Sequence, residues 1–185
     1  AARAAASEYG WDAIAARYAD RIRGLAARPP RIARTPELDL AFDSAHPRLL
    51  AIPAYRGTDR LADLLSAWAA AAPAGTPGTL VLVADPARDG APEDVEGHIV
   101  AAATAAGVDL DTCADIEVRF LHATPGRDAA LHAATDGFVP LHGASTGHAR
   151  HARAAGNAIV EPGAASVAAF LAAHGAPQAA SPVAA

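Results

Sequence analysis

An α/β fold, arranged as a Rossmann-like, doubly wound parallel sheet of about five strands with an additional N-terminal helix, is predicted by three features of the sequence. Short apolar runs rich in Leu, Val and Ile alternate with helical stretches from Leu49 onward. Each link between successive runs is too long for a hairpin and long enough for a crossover, which is what parallel strands require. At 185 residues, with only 19% charged, the chain suits one folded core better than two cores or a disordered polymer.

The elements follow in order. Between Glu8 and Ala27, the apolar residues Trp11, Ile14, Ala15, Tyr18, Ile22 and Leu25 recur at helical spacing, and Ser7 is placed to cap the start. Arg28, Pro29, Pro30 and Arg31 end that helix, and the prolines through Pro47 keep the connector from continuing it. Strands are expected at Leu49–Pro53, Thr79–Ala84, Ile116–Leu121, Phe138–Leu141 and Ala158–Val160. Helices are expected between them at Asp59–Ala72, Pro92–Ala106, Arg127–Ala134 and His148–Ala155, with a last one at Ala164–Ala173. The expected organisation is an N-terminal helix at 1–28, a proline-rich linker at 29–47, the α/β domain at 48–175 and a small-residue tail at 176–185.

Composition narrows the function classes. Of the 52% apolar residues most are Ala, so large side chains are sparse and the core is padded with small ones. All 15 basic residues are Arg, the net charge is −5, and no Arg-rich stretch lacks nearby carboxylates, so the basic stripe needed for nucleic acid is missing. No apolar run approaches the roughly 20 residues of a membrane span. Cys113 is the single cysteine, which excludes an internal disulfide and suits a reducing compartment, and Ala1–Ser7 do not resemble a secretory signal. A cytoplasmic setting is expected, and the missing initiator Met suggests a piece of a longer protein.

Folds of this class bind ligands beyond the carboxyl ends of their strands. The loop after the fourth predicted strand contains Gly143, Ser145, Thr146, Gly147 and His148. Its glycines let backbone approach a ligand, and the free N–H groups of the following helix suit a diphosphate. A well-capped turn with no ligand is the alternative. The glycine spacing fits neither a Walker loop nor the dinucleotide fingerprint. His142, His148 and His151 invite a metal reading, but no carboxylate lies between Leu141 and Gly156, so they are expected to be solvated helix histidines and no metal is expected. After the first strand, Arg56 beside Gly57 can bind phosphate as a bidentate fork, or else pair with Asp59 at the surface. The loop Asp85–Gly90 is expected to be a solvated turn. No Gly-x-Ser-x-Gly elbow occurs, which argues against a serine hydrolase of that kind.

Four stretches carry a resemblance: AIPAYRGTDRLADLLSAW (Ala51–Trp68), TLVLVADP (Thr79–Pro86), IEVRFLHATPGRDAALHAATDGFVPLH (Ile116–His142) and HARAAGNAIVEPG (His151–Gly163). Their order over about 110 of the 185 residues resembles the C-terminal, donor-binding half of GT-B glycosyltransferases, in particular the large retaining group (family 4-like) that uses nucleotide sugars. The resemblance implies that Arg56 and Gly57 hold donor phosphate, and that the backbone of His122, Ala123 and Thr124 faces the base. It also implies that Gly143, Ser145, Thr146, Gly147 and His148 approach the diphosphate and sugar. The implied ligand is a nucleotide-diphosphate sugar as substrate, with no cofactor or metal. Other domains of the parent chain would supply the acceptor, so the isolated domain would be inactive. SEYGWDAIAARYADRIRGL (Ser7–Leu25) resembles the closing helix of such transferases, here placed first. The sequence also departs from the family: the two usual Glu are absent from the sugar loop, His151 stands where the second would fall, and Ala51 replaces a common Arg. Those departures imply the alternative of a degenerate, non-catalytic GT-B-like module serving as a structural or interaction domain.

Overall fold

The computed structural model describes residues 15, 16, 18–20, 23, 40, 42, 44–56, 60–124, 126–141 and 146–175. Two compact units divide the chain, Ala1–Thr35 and Pro36–Ala185. In the first, every described residue is helical, and Arg23 pairs with Asp20 at 3.1 Å one turn away. The remainder of the predicted N-terminal helix, most of the linker and the tail at 176–185 lie outside the described residues.

In the second unit the chain runs through β1 (Arg48–Ala51), α1 (Leu61–Ala71), β2 (Thr79–Ala84), α2 (Pro86–Asp89), α3 (Pro92–Ala106), β3 (Ile116–Phe120), α4 (Arg127–Ala133), β4 (Gly137–Val139), α5 (Thr146–Ala155), β5 (Ala158–Ile159) and α6 (Ala164–His174). All four strand pairings are parallel and the order is β3-β2-β1-β4-β5, so the architecture is the doubly wound α/β sheet that the sequence predicts. β2 is buried at every position, which is why TLVLVA is continuously apolar rather than alternating. β3, at the sheet edge, alternates apolar and charged residues and is only half-buried.

The sheet is covered on both faces because adjacent residues along a strand point to opposite sides. Leu49, Ala51, Leu80, Leu82 and Val139 pack with Leu64 and Trp68 of α1, Val95 and Ile99 of α3, and Val167 and Phe170 of α6. Leu50, Ile52, Val81, Val83 and Phe138 face the other way, toward Leu131 of α4 and Ala152 of α5. Leu40 and Phe42, at the end of the proline-rich stretch, join this second cluster, and the Phe42 ring lies 5.2 and 5.1 Å from the guanidinium carbons of Arg48 and Arg119. Trp68 is fully buried and its indole N–H donates to Ala114 O at 3.1 Å, tying α1 to the approach to β3.

At the amino end of the sheet, Asp136 joins β1 to β4. Its Oδ2 accepts from Arg48 N at 2.7 Å and lies 2.8 Å from His46 Nδ1, while its own N–H donates to Arg48 O. The Arg48 guanidinium in turn donates to Phe42 O and Ala134 O. Next to Asp136, Gly137 is required by close packing: a Cβ there would sit 2.6 Å from Phe170 Cε2 and 3.0 Å from Leu49 Cδ1. Gly137→Ala is therefore expected to lower stability by about 1–3 kcal/mol through overpacking. Combining it with Phe170→Leu should cost less than the sum of the two single changes, as measured by urea unfolding.

Candidate functional site

The strand order reverses direction beside β1: β2 and β3 lie on one side of it, β4 and β5 on the other. Chains leaving the carboxyl ends of β1 and β4 therefore part in opposite directions, and such a switch point is the place where this fold class receives ligands. The loop after β1 leads to Arg56, and the loop after β4 leads into the first turn of α5. The two loops expected to hold phosphate thus flank the switch point, whereas His122–Thr124, expected to face a base, follow β3 at the sheet edge, with β2 between that strand and β1.

Arg56 is exposed, and its Nη2 lies 2.8 Å from the position a Cβ on Gly90 would take. Asp94 Oδ2 approaches that same position to 2.7 Å and also accepts from Ala91 N at 3.1 Å, so it caps α3. Gly90, with φ +102°, is needed both for its backbone shape and for the room it leaves these side chains. Gly57, Gly143 and Ser145, together with His142 and Asp59, lie outside the described residues. Thr146 opens α5, and Gly147 beside it is exposed with nothing crowding it.

His148 and His151 do not behave as a matched pair of solvated histidines. His151 is exposed, but the His148 side chain is only 21% exposed, with Nδ1 3.9 Å from Asp128 Oδ2. Its ring centroid lies 5.8 Å from that of His132 and 6.0 Å from that of Phe138. The helical spacing showed only that the two histidines share a region of α5; the packing of α4 against that helix turns one of them inward. His132 itself was not singled out in the sequence. It is fully buried, edge-on to Phe138 at 5.0 Å, and neither ring nitrogen has a hydrogen-bond partner among the described residues. Burial, reinforced by the neighbouring His148 and His151, pushes its pKa down from 6.5 to about 4, so it is neutral at pH 7.

The loop after β2 corrects a second expectation. Rather than a solvated turn, Asp85–Gly90 forms the short helix α2 around two buried carboxylates. Asp85 accepts from Ala87 N at 3.0 Å and from Ala123 N at 3.1 Å, with Arg127 Nη1 at 3.6 Å and His122 Nδ1 at 3.9 Å. Asp89, 2% exposed, accepts from Asp85 N at 2.8 Å and receives the Arg88 fork at 2.8 and 2.7 Å. Arg88 Nη2 also donates to Pro53 O at 3.3 Å. Burial pushes the Asp89 carboxyl up, but the Arg88 fork, the Asp85 N–H and the charge of Arg56 outweigh it and hold the group below the usual carboxylate range.

These bonds lace together the loops that follow β1, β2 and β3. They also place the residues expected to face a base: His122, Ala123 and Thr124 are exposed beyond β3, but the Ala123 N–H is directed to Asp85 and Thr124 O accepts from Arg127 N. The sequence signal for this was present in the paired acid and base at Asp85, Arg88 and Asp89, which a polar-turn reading passes over. Cys113 is buried, and desolvation raises its thiol pKa. Among the described residues, no group of three or more His, Cys, Asp or Glu is arranged to hold a metal, and no helix is long and apolar enough to cross a membrane. The chain matches no family model, no curated protein and no solved structure.

Two stability effects follow from these charges. Asp89→Ala removes the acceptor of a buried N–H and the partner of a half-exposed Arg88, and is expected to cost about 1–3 kcal/mol at neutral pH. Because the folded pKa is lowered, this contribution is complete above the ordinary value of 3.8 and fades as the pH falls through the lower folded value; the gap between variant and wild type in urea unfolding should close there. His132 has the opposite form. The folded protein resists its protonation, so stability is unaffected above pH 6.5 and declines from there to about pH 4, by about 3 kcal/mol in full. His132→Leu should remove that decline when unfolding is followed across this range.

Proposed function

We propose that the switch point between β1 and β4 binds the diphosphate of a nucleotide-diphosphate sugar, as the donor-side half of a glycosyltransferase of the GT-B kind. The single observation that supports this reading is the strand order, which sets the Arg56 turn and the amino end of α5 at one switch point. A guanidinium and the free N–H groups of a helix start are both groups that hold phosphate oxygens. They would act in transfer by stabilising the negative charge that builds up on the departing diphosphate, a role that needs no proton transfer from this half. Acceptor binding and any acid or base would come from another domain, so the domain alone would bind donor without turning it over.

A second reading has its own support. The carboxylates at the mouth of the sheet are already engaged: Asp89 by Arg88 and the Asp85 N–H, and Asp85 by the N–H groups of Ala87 and Ala123. A mouth that satisfies its own polar groups suits a structural or interaction module that keeps the fold without the chemistry.

Calorimetry with UDP, GDP and ADP sugars separates the two. The donor-half reading expects saturable binding. Arg56→Ala should weaken it roughly ten- to a hundredfold, corresponding to about 1.5–3 kcal/mol for a charge-assisted bond, and Arg56→Lys should weaken it less. Absence of heat with every sugar at millimolar concentration, or unchanged affinity in Arg56→Ala, would favour the structural module.

A further inference from the structure

The structure leaves β3 as an open edge: β2 pairs with one side of it, and no described strand pairs with the other. Asp115 O accepts from Leu80 N, and Leu121 N donates to Ala84 O, so backbone groups of alternate residues, counted from 115 to 121, turn inward to β2. By the same alternation Ile116, Val118 and Phe120 turn their N–H and C=O groups outward. The edge is short of cover on its side-chain face as well. Between it and α3 runs a groove of about 570 Å³ whose lining includes Val100, Ile116 and Phe120, with the carboxylates of Glu96, Asp111 and Asp115 also in its walls. Val100 is 52% and Phe120 36% exposed, the two large apolar side chains most open to solvent in this unit among the described residues.

The sequence of the edge, Ile-Glu-Val-Arg-Phe, is symmetric in character about Val118. An antiparallel copy of the same strand, related by a two-fold axis through Val118, places Glu117 opposite Arg119 of the second copy and Arg119 opposite its Glu117. Ile116 then faces Phe120, and Val118 faces Val118. The outward backbone groups of Ile116, Val118 and Phe120 meet as hydrogen-bonded pairs. Glu117 and Arg119 fall at the non-hydrogen-bonded positions, where cross-strand side chains lie closest. In one copy Glu117 Oε1 lies 3.2 Å from its own Arg119 Nε, and its Oε2, buried within that copy, has no hydrogen bond among the described residues. Charges on an edge strand ordinarily repel a second edge; here their order makes them complementary.

We propose that β3 is the interface of a two-fold dimer of this chain, in which the sheets of two copies join edge to edge. The contact is isologous, so it closes at two copies and does not propagate. With the axis perpendicular to the sheet, both α3 helices lie on the same face beside the seam, and the two grooves merge there, covering Val100 and Phe120. This surface lies at the outer edge of β3, away from the β1–β4 switch point, and does not depend on what binds there.

The test is a crossed charge reversal on the full chain, read by sedimentation over a range of concentrations, with circular dichroism confirming the fold. The wild type is expected to be a dimer. Glu117→Arg sets Arg against Arg in both symmetric pairs, and Arg119→Glu sets Glu against Glu; each should weaken self-association at least about tenfold. Mixing these two variants should restore dimers, because a copy carrying only Arg at the two positions then faces a copy carrying only Glu. The double swap Glu117→Arg with Arg119→Glu should dimerise by itself, and it serves as the deciding variant if either single change fails to fold. A wild type that stays monomeric at millimolar concentration would overturn the proposal. So would single variants that associate as well as wild type, folded single variants that fail to associate when mixed, or a folded double swap that remains monomeric.

Discussion

After β3 the chain must return across β2 and β1 to lay β4 on the far side of β1, and the parallel bonds between Leu49–Ala51 and Gly137–Val139 hold it there. Asp136 secures that return from the amino end by binding the Arg48 N–H and His46, and Gly137 lets α6 close over the junction without a side chain in the way. The switch point at the opposite end exists because of this reversal. Had β4 added beside β3, the loops carrying Arg56 and the start of α5 would have followed strands at separate places in the sheet. Position in the strand order, more than any one motif, is what makes this end of the domain the candidate site.

The two halves of the carboxyl edge are built differently. Around α2, buried carboxylates consume the available donors: Asp85 and Asp89 take backbone N–H groups from two loops and the fork of Arg88. Such charges are costly to bury unless matched, and the match stiffens the three loops that meet there. Across the switch point, α5 presents an exposed Gly147 in its first turn and turns His148 inward to the imidazole of His132, which is itself buried without a hydrogen bond among the described residues. One side of the mouth is therefore locked by paired charge and the other packs on His132, which burial keeps neutral at pH 7, so the second side is the one whose stability is expected to respond to mild acid.

The β3 edge shows how the same alternation can serve two ends. Its apolar residues pack toward α3, and its charged pair lies on the face shared with Phe42, where the Arg119 guanidinium sits 5.1 Å from the ring. Within one copy this is an ordinary half-buried edge strand. Its near symmetry about Val118 gives that edge a partner of the same sequence.

The sequence by itself determined the class of fold and the order of elements, because apolar period and crossover length are local properties. Five strands and the helices between them lie close to where Leu49, Thr79, Ile116, Phe138 and Ala158 announce them. It also directed attention to the Arg56 turn and the loop before α5, through glycine and charge in places where strands end. What it left open depends on neighbours far away in the chain. Asp85 and Asp89 read as a polar turn until Ala123 and Pro53 are brought beside them, and His132 reads as one more helix residue until α5 covers it. Burial and pairing are set by contacts between segments tens of residues apart, and no local pattern encodes them; only the tertiary structure decided which polar groups at this sheet edge are locked and which remain at the surface.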